Sequence, residues 1–289
     1  MTVLLFCALQ AGADTTPDVV DTTVRSRAAN VPVTFTVPPE ATPHAPAPLV
    51  VMLHGHGGTR HEAGGFARLA TKLADAGVAS VRMDFPGAGD STEPFWQNSL
   101  SHMLTDVQAV EAWAAASGRV DPKRMGVVGF SMGGRVAAMA SASGSPYRAM
   151  VMWASEMENG PGHIVERLGG ADAFAAMQAE AEANGFAPFT TFWGQEQELG
   201  PAFFHDLAAA RTQDEIGRFP GALLLVHGTD DQVIPYRVSR DAVETAASAE
   251  LVSLHLIEGA DHGFGLFSDP DPYSAELLEV TVRFLLEHL

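Results

Sequence analysis

A serine with glycines two residues away on either side stands at Gly129-Phe130-Ser131-Met132-Gly133, with Gly134 directly after. The motif follows the apolar run Met125-Gly126-Val127-Val128 and leads into Arg135-Val136-Ala137-Ala138-Met139-Ala140, which reads as a helix. Strand, tight turn and helix in that order form a nucleophile elbow. The serine backbone is strained there, and side chains at the flanking glycine positions would collide with the adjoining strand and helix. Such a turn lifts the Ser131 hydroxyl clear of a sheet and leaves the Met132 amide facing the same space.

The rest of the chain alternates in the same way. Residues 49–53, 78–83, 149–153, 221–226 and 251–257 are short apolar runs, and residues 61–76, 100–117, 131–143 and 273–288 read as helices between them. Alternating strands and helices predict an α/β fold, a doubly wound and mostly parallel sheet with the nucleophile at the carboxyl edge of its strands. A chain of 289 residues suits one such domain plus an insertion. The core is expected over residues 31–154 and 221–289, after an N-terminal extension of residues 1–30. Residues 155–220 are too many for one crossover. They read as a small cap inserted after the sixth strand, plus a crossover helix.

A nucleophile on this kind of elbow is followed in chain order by an acid and then a histidine, each on a loop after a strand. The run 221–226 leads into His227-Gly228-Thr229-Asp230-Asp231-Gln232-Val233-Ile234-Pro235, where two aspartates compete. Asp231 is preferred because Val233, Ile234 and Pro235 pin its loop, while Asp230 reads as a solvated or turn-capping neighbour. Its carboxylate would accept the histidine Nδ1–H and hold the tautomer that deprotonates serine. Three histidines follow Asp231. His255 lies within a strand pattern, and His288 ends an amphipathic helix, where a positive charge suits the helix dipole. His262, in the loop Asp261-His262-Gly263-Phe264 just past the strand, is the expected base.

The run 49–53 enters His54-Gly55-His56-Gly57-Gly58, a glycine-rich turn of the type that gives one backbone amide to an oxyanion hole. By position the donors are the His56 and Met132 amides. His54 and His56 invite a zinc reading, but no His-Glu-x-x-His helix, cysteine cluster or carboxylate-rich loop accompanies them, so no metal is expected. Asp84-Phe85-Pro86-Gly87-Ala88-Gly89-Asp90-Ser91 lacks the Gly-Lys-Ser/Thr ending of a phosphate loop and reads as a structural turn.

Together, His54-Gly55, Asp84-x-x-Gly87-x-Gly89-x-Ser91, Gly129-x-Ser131-x-Gly133-Gly134, Gly228-x-x-Asp231 and Asp261-His262-Gly263-Phe264 resemble the α/β-hydrolase superfamily from about Pro48 to the C-terminus. Within it the chain is similar to the bacterial cinnamoyl and feruloyl esterase-like group, which carries a small insert after the sixth strand. The resemblance implies carboxylester hydrolysis by a serine triad without a cofactor, often on hydroxycinnamate esters. His56-Gly57-Gly58 departs from that group, where an aromatic residue and a threonine are expected.

A small-molecule ester is therefore the expected partner. Phe186, Phe189, Phe192, Trp193, Phe203 and Phe204 divide between a core for the cap and an apolar pocket, with Trp193 and Gln195 the expected substrate contacts. Short-chain alkyl or polyester hydrolysis, peptidase or acyltransferase activity, and cofactor-free haloperoxidase or C–C hydrolase activity fit the same constellation. A non-catalytic ligand receptor is the rival from another class.

Composition narrows the partners further. Formal net charge is −18, with Lys72 and Lys123 the only lysines, so nothing basic is clustered for nucleic acid and polyanionic substrates are disfavoured. Cys7 is the single cysteine, which excludes an intrachain disulfide and a thiol in place of Ser131. Residues 1–13 are apolar and end in Ala11-Gly12-Ala13, as a short signal peptide would, yet no basic residue precedes the run. A signal remnant and a first strand both remain open, and with them a cytoplasmic or exported location. Beyond that run no apolar stretch is long enough to span a bilayer. The sequence leaves the oligomeric state open.

Overall fold

Eight strands share one sheet in the computed structural model, which describes residues 16–289; the segment 1–13 and its Cys7 lie outside the described residues. The strands are β1 (Asp18–Ser26), β2 (Ala29–Val37), β3 (Ala47–Leu53), β4 (Ala79–Met83), β5 (Val120–Phe130), β6 (Tyr147–Trp153), β9 (Ala222–Gly228) and β10 (Leu251–Ile257). Their spatial order is β1-β2-β4-β3-β5-β6-β9-β10. The pairings β1–β2 and β2–β4 are antiparallel, and all others in this sheet are parallel. A separate antiparallel hairpin pairs β7 (Ala187–Thr190) with β8 (Glu196–Leu199).

Helices cover both faces, which is why the central strands read as unbroken apolar runs. Along β3, Leu49, Val51 and Leu53 pack with residues of α2 (Leu100–Ala116) and α3 (Met132–Ala142), such as Val107 and Val136. The alternate residues Val50 and Met52 join Phe66 of α1 (Gly65–Asp75) and Phe284 of α9 (Ser274–His288) on the other face. The period-two alternation of a strand thus feeds two cores from one run. Trp153, fully buried at the end of β6, donates its indole N–H to Thr281 Oγ1 at 2.9 Å and ties α9 to the sheet.

β1 occupies residues that the sequence places in an N-terminal extension. Most of its side chains face solvent, and only Val24 and Ser26 are buried, so its polar Asp/Thr pattern hides an edge strand.

The chain leaves β3 for β4 on one side and returns to β5 on the other. The loops after β3 and β5 therefore diverge at their carboxyl ends, the place where open α/β sheets hold ligands. Both glycine-rich turns of the sequence lie there.

Residues 155–220 follow β6 and build α4 (Ile164–Arg167), α5 (Ala171–Asn184), the β7–β8 hairpin, α6 (Pro201–Ala209) and α7 (Thr212–Arg218). α7 packs on α3 and α8 (Arg237–Thr245) as a crossover helix. Phe203 and Phe204 of α6 are buried within this segment, Phe174 meets Phe204 edge-on, and Phe186 stacks on Trp96. Phe192 and Trp193 are exposed at the hairpin end. Among the described residues no helix is long and apolar enough to cross a membrane.

Candidate active site

Three glycines let α3 start against the end of β3. A Cβ on Gly133 would lie 2.0 Å from the Leu53 carbonyl oxygen, one on Gly129 would lie 2.5 Å from the Gly133 carbonyl oxygen, and one on Gly134 would strike the Ser155 hydroxyl at 2.0 Å. Ser131 between them adopts φ 51° and ψ −116°, a strained conformation for a residue with a side chain. Its own amide donates to the Trp153 carbonyl at 2.9 Å, which anchors the turn to β6.

The strain carries the hydroxyl to the expected histidine. His262 Nε2 lies 3.1 Å from Ser131 Oγ, and His262 Nδ1 lies 2.8 Å from Asp231 Oδ2. The imidazole packs tilted against Phe130, with ring centroids 5.0 Å apart. Asp230 is exposed, whereas Asp231 is buried. The other two histidines go elsewhere: His255 pairs with Glu276 of α9 at 2.7 Å, and His288 packs on Phe284.

Asp231 is held from every side. Its Oδ1 accepts the Val233 and Ile234 amides at 2.7 and 2.9 Å. Its Oδ2 takes His262 and also His227, whose Nε2–H is shared between Asp231 at 3.1 Å and the Ile234 carbonyl at 2.8 Å. The Ser239 hydroxyl, 2.6 Å from His227 Nδ1, completes that ring and fixes its tautomer. Burial by itself would raise the Asp231 pKa, but the hydrogen bonds from His227 and His262 outweigh it and hold the carboxyl well below the usual range. His227 escapes sequence reasoning; its only signal is its position at the end of a buried strand, directly before the acid loop.

His56 and Met132, the two residues expected to give oxyanion amides, line the same cavity as Ser131. The turn is braced from below by Glu62, whose carboxylate accepts the Gly55 amide at 2.9 Å. Burial pushes the Glu62 carboxyl up to about 7. From above, a hydrogen-bond chain reaches it from the insertion. Trp193 Nε1–H donates to Gln195 Oε1 at 3.2 Å, Gln197 Nε2 donates to the same oxygen at 3.2 Å, and Gln197 Oε1 faces His56 Nε2 at 2.8 Å. An indole can only donate, so the direction of the chain puts the His56 proton on Nε2. Trp193 and Gln195 thus pack over Gly57 of the His54–Gly58 turn and are hydrogen-bonded to it through Gln197, and neither lines the cavity at Ser131. Gln197 carries no signal in the sequence.

His54 uses both ring nitrogens on backbone, Nδ1–H to the Gly55 carbonyl at 2.7 Å and Nε2 from the Phe85 amide at 3.0 Å. It leaves no lone pair for a metal, and burial pushes both His54 and His56 down to about 4. The Asp84 loop is a structural turn. Its carboxylate accepts the Arg60 amide at 2.7 Å and the Asp90 amide at 2.9 Å and pairs with the Arg60 guanidinium. A third cluster, Glu156, Glu158 and His163, brings ligand-type atoms together, and Arg135 and Arg237 supply its countercharge.

A sheet switch point with a strained serine, a histidine and a buried aspartate in hydrogen-bond sequence defines a protein of the α/β-hydrolase class. Residues 50–276 match the profile of the alpha/beta hydrolase family, and the chain belongs to it. The quorum-quenching protein AidA of Acinetobacter baumannii is 24% identical over 182 residues, 63% of this chain and 48% of its own. The chain therefore spans about half the length of that curated relative. Among solved structures, Est1E of Butyrivibrio proteoclasticus with ferulic acid bound aligns with a TM-score of 0.70 at 20% identity, over 92% of this chain and 98% of that one. The α/β hydrolase GrgF of Penicillium sp. sh18 aligns at 0.69 and 16% identity, over 94% and 99%. At these identities the likeness is one of fold.

Proposed function

We propose that this chain is a serine carboxylester hydrolase acting on small esters. The observation that carries it is the continuous Ser131–His262–Asp231 hydrogen-bond chain on a strained elbow. His262, held by Asp231 with its proton on Nδ1, takes the Ser131 proton as Oγ attacks the ester carbonyl. The carbonyl oxygen, now an anion, is received by the His56 and Met132 amides. His262 then returns the proton to the leaving alcohol and activates a water that releases the acid from the acyl-enzyme. Every step uses groups of the chain itself.

The cavity at Ser131 has a volume of about 60 Å³. Pockets for drug-sized ligands run to about 300–1,000 Å³. A short acyl or alcohol chain suits this space better than a hydroxycinnamoyl group does. The second reading, hydroxycinnamate ester hydrolysis, is favoured by the likeness to Est1E, which binds ferulic acid. Steady-state kcat/KM for p-nitrophenyl butyrate beside methyl ferulate separates the two. The butyrate is expected to win by about tenfold or more, given the narrow cavity. A preference for ferulate assigns the second reading, and turnover of neither ester rejects both.

A further inference from the structure

The cavity beside Ser131 holds a charge that the proposed chemistry does not use. Its wall brings Arg135, Glu156, His163 and Arg167 to the nucleophile, among apolar neighbours such as Leu207 and Ile234. In a chain of net charge −18, this wall draws on two arginines and one glutamate. Arg135 is already satisfied. It donates to the Gly160 and Glu158 carbonyls at 2.6 and 3.2 Å and lies 3.8 Å from Glu156. Glu156 in turn accepts the amide and the Nδ1–H of His163, both at 2.8 Å.

Arg167 differs. Its guanidinium donates to the Gln232 carbonyl, next to Asp231, and sits 5.3 Å from the centroid of the Phe192 ring. It makes no ion pair with any of the described residues. A cation steadied by a carbonyl and an aromatic face, at the wall of a small apolar cavity, is preorganised for a carboxylate, because a guanidinium presents paired N–H donors that match two oxygens.

We propose that Arg167 binds a carboxylate of the substrate, so that the preferred esters carry an anionic group on a short chain. The proposal rests on the esterase reading above and narrows it. The carboxylate can belong to the acyl part, as in a hemiester of a small dicarboxylic acid, or to the alcohol part, as in an ester of a hydroxy acid. The acidic surface repels anions in general, and the positive wall makes the cavity a local exception.

The test compares kcat/KM within two pairs of esters of similar shape. Monoethyl glutarate against ethyl 5-methylhexanoate probes the acyl side, and carboxymethyl butyrate against isobutyl butyrate probes the alcohol side. Wild-type enzyme is expected to favour the charged member of one pair by about tenfold or more, the scale of a charge-assisted hydrogen bond. Arg167→Gln should erase that preference and Arg167→Lys keep part of it. The pair that responds identifies the side. A wild-type preference for the neutral member of both pairs, or a charged preference that survives in Arg167→Gln, overturns the proposal.

A second readout does not depend on turnover. Calorimetric titration of the preferred charged ester, or of both charged esters if neither turns over, into Ser131→Ala should show binding that disappears in Ser131→Ala/Arg167→Gln. Equal binding, or none in either, also overturns it. Arg167-dependent binding without turnover in the wild type would instead sink the esterase reading and leave the carboxylate site standing.

Discussion

Replacing Ser131 with alanine is expected to lower kcat for p-nitrophenyl butyrate by about 10⁵- to 10⁶-fold, the scale seen when a hydrolase loses its nucleophile. The substitution removes one oxygen whose side-chain hydrogen bond is to His262. Alanine keeps the Cβ, fits in the turn and meets the same φ of 51°. The glycine contacts that shape the elbow are untouched, so the melting temperature should stay within a few degrees, since a surface-type change moves stability by about 0.5 kcal/mol. Activity within tenfold of wild type would remove Ser131 from the mechanism.

Asp231→Asn should cost about 10⁴-fold in kcat, and the reason lies in the donors around it. Oδ1 already accepts two backbone amides, so the asparagine carbonyl keeps that place. Its NH₂ then falls at the Oδ2 position, facing the N–H groups of both His227 and His262. Donor meets donor, and His262 is driven to the tautomer with its proton on Nε2, which has no lone pair for Ser131. Stability should respond as well. Because the folded-state pKa of Asp231 is depressed, its contribution is fully present above the ordinary carboxylate range, about pH 4, and is lost as pH falls below it. The melting-temperature gap between wild type and Asp231→Asn should therefore be widest near neutrality and narrow on acidification. A gap independent of pH would show that the ionised carboxylate is not what the fold relies on.

Much of the architecture was legible because it rests on local patterns. Residues 49–53 and 149–153 are buried on both faces and must be apolar throughout, so runs such as Leu49-Val50-Val51-Met52-Leu53 announce themselves. The elbow was legible because Gly129, Gly133 and Gly134 each meet an atom that a Cβ would strike. Ser131, Asp231 and His262 could be singled out by order and loop context, and the folded chain sets His262 3.1 Å from Ser131 and 2.8 Å from Asp231.

What the pattern missed are buried polar residues whose partners are distant in the chain. Gln197 meets His56 across 141 positions, and Arg60 reaches Thr34 across 26. His227 and Glu62 are buried polar groups whose partners only folding reveals. β1 was obscured for the opposite reason. An edge strand with a solvated face needs few apolar residues, so Asp18 to Thr23 carry little hydrophobic signal. Residues 155–220 were set apart by length alone, because a helix such as α5 buries only Phe174 and Ala181 and is held by tertiary contacts such as Phe174 on Phe204 rather than by a periodic face.

The central claim is that Ser131 is an activated nucleophile, and covalent trapping tests it most directly. Incubation with diethyl p-nitrophenyl phosphate, followed by peptide mass spectrometry, should place a single diethylphosphoryl group on Ser131, with activity lost in step with its occupancy. Modification at another residue, or full activity after prolonged exposure to excess reagent, would contradict the account.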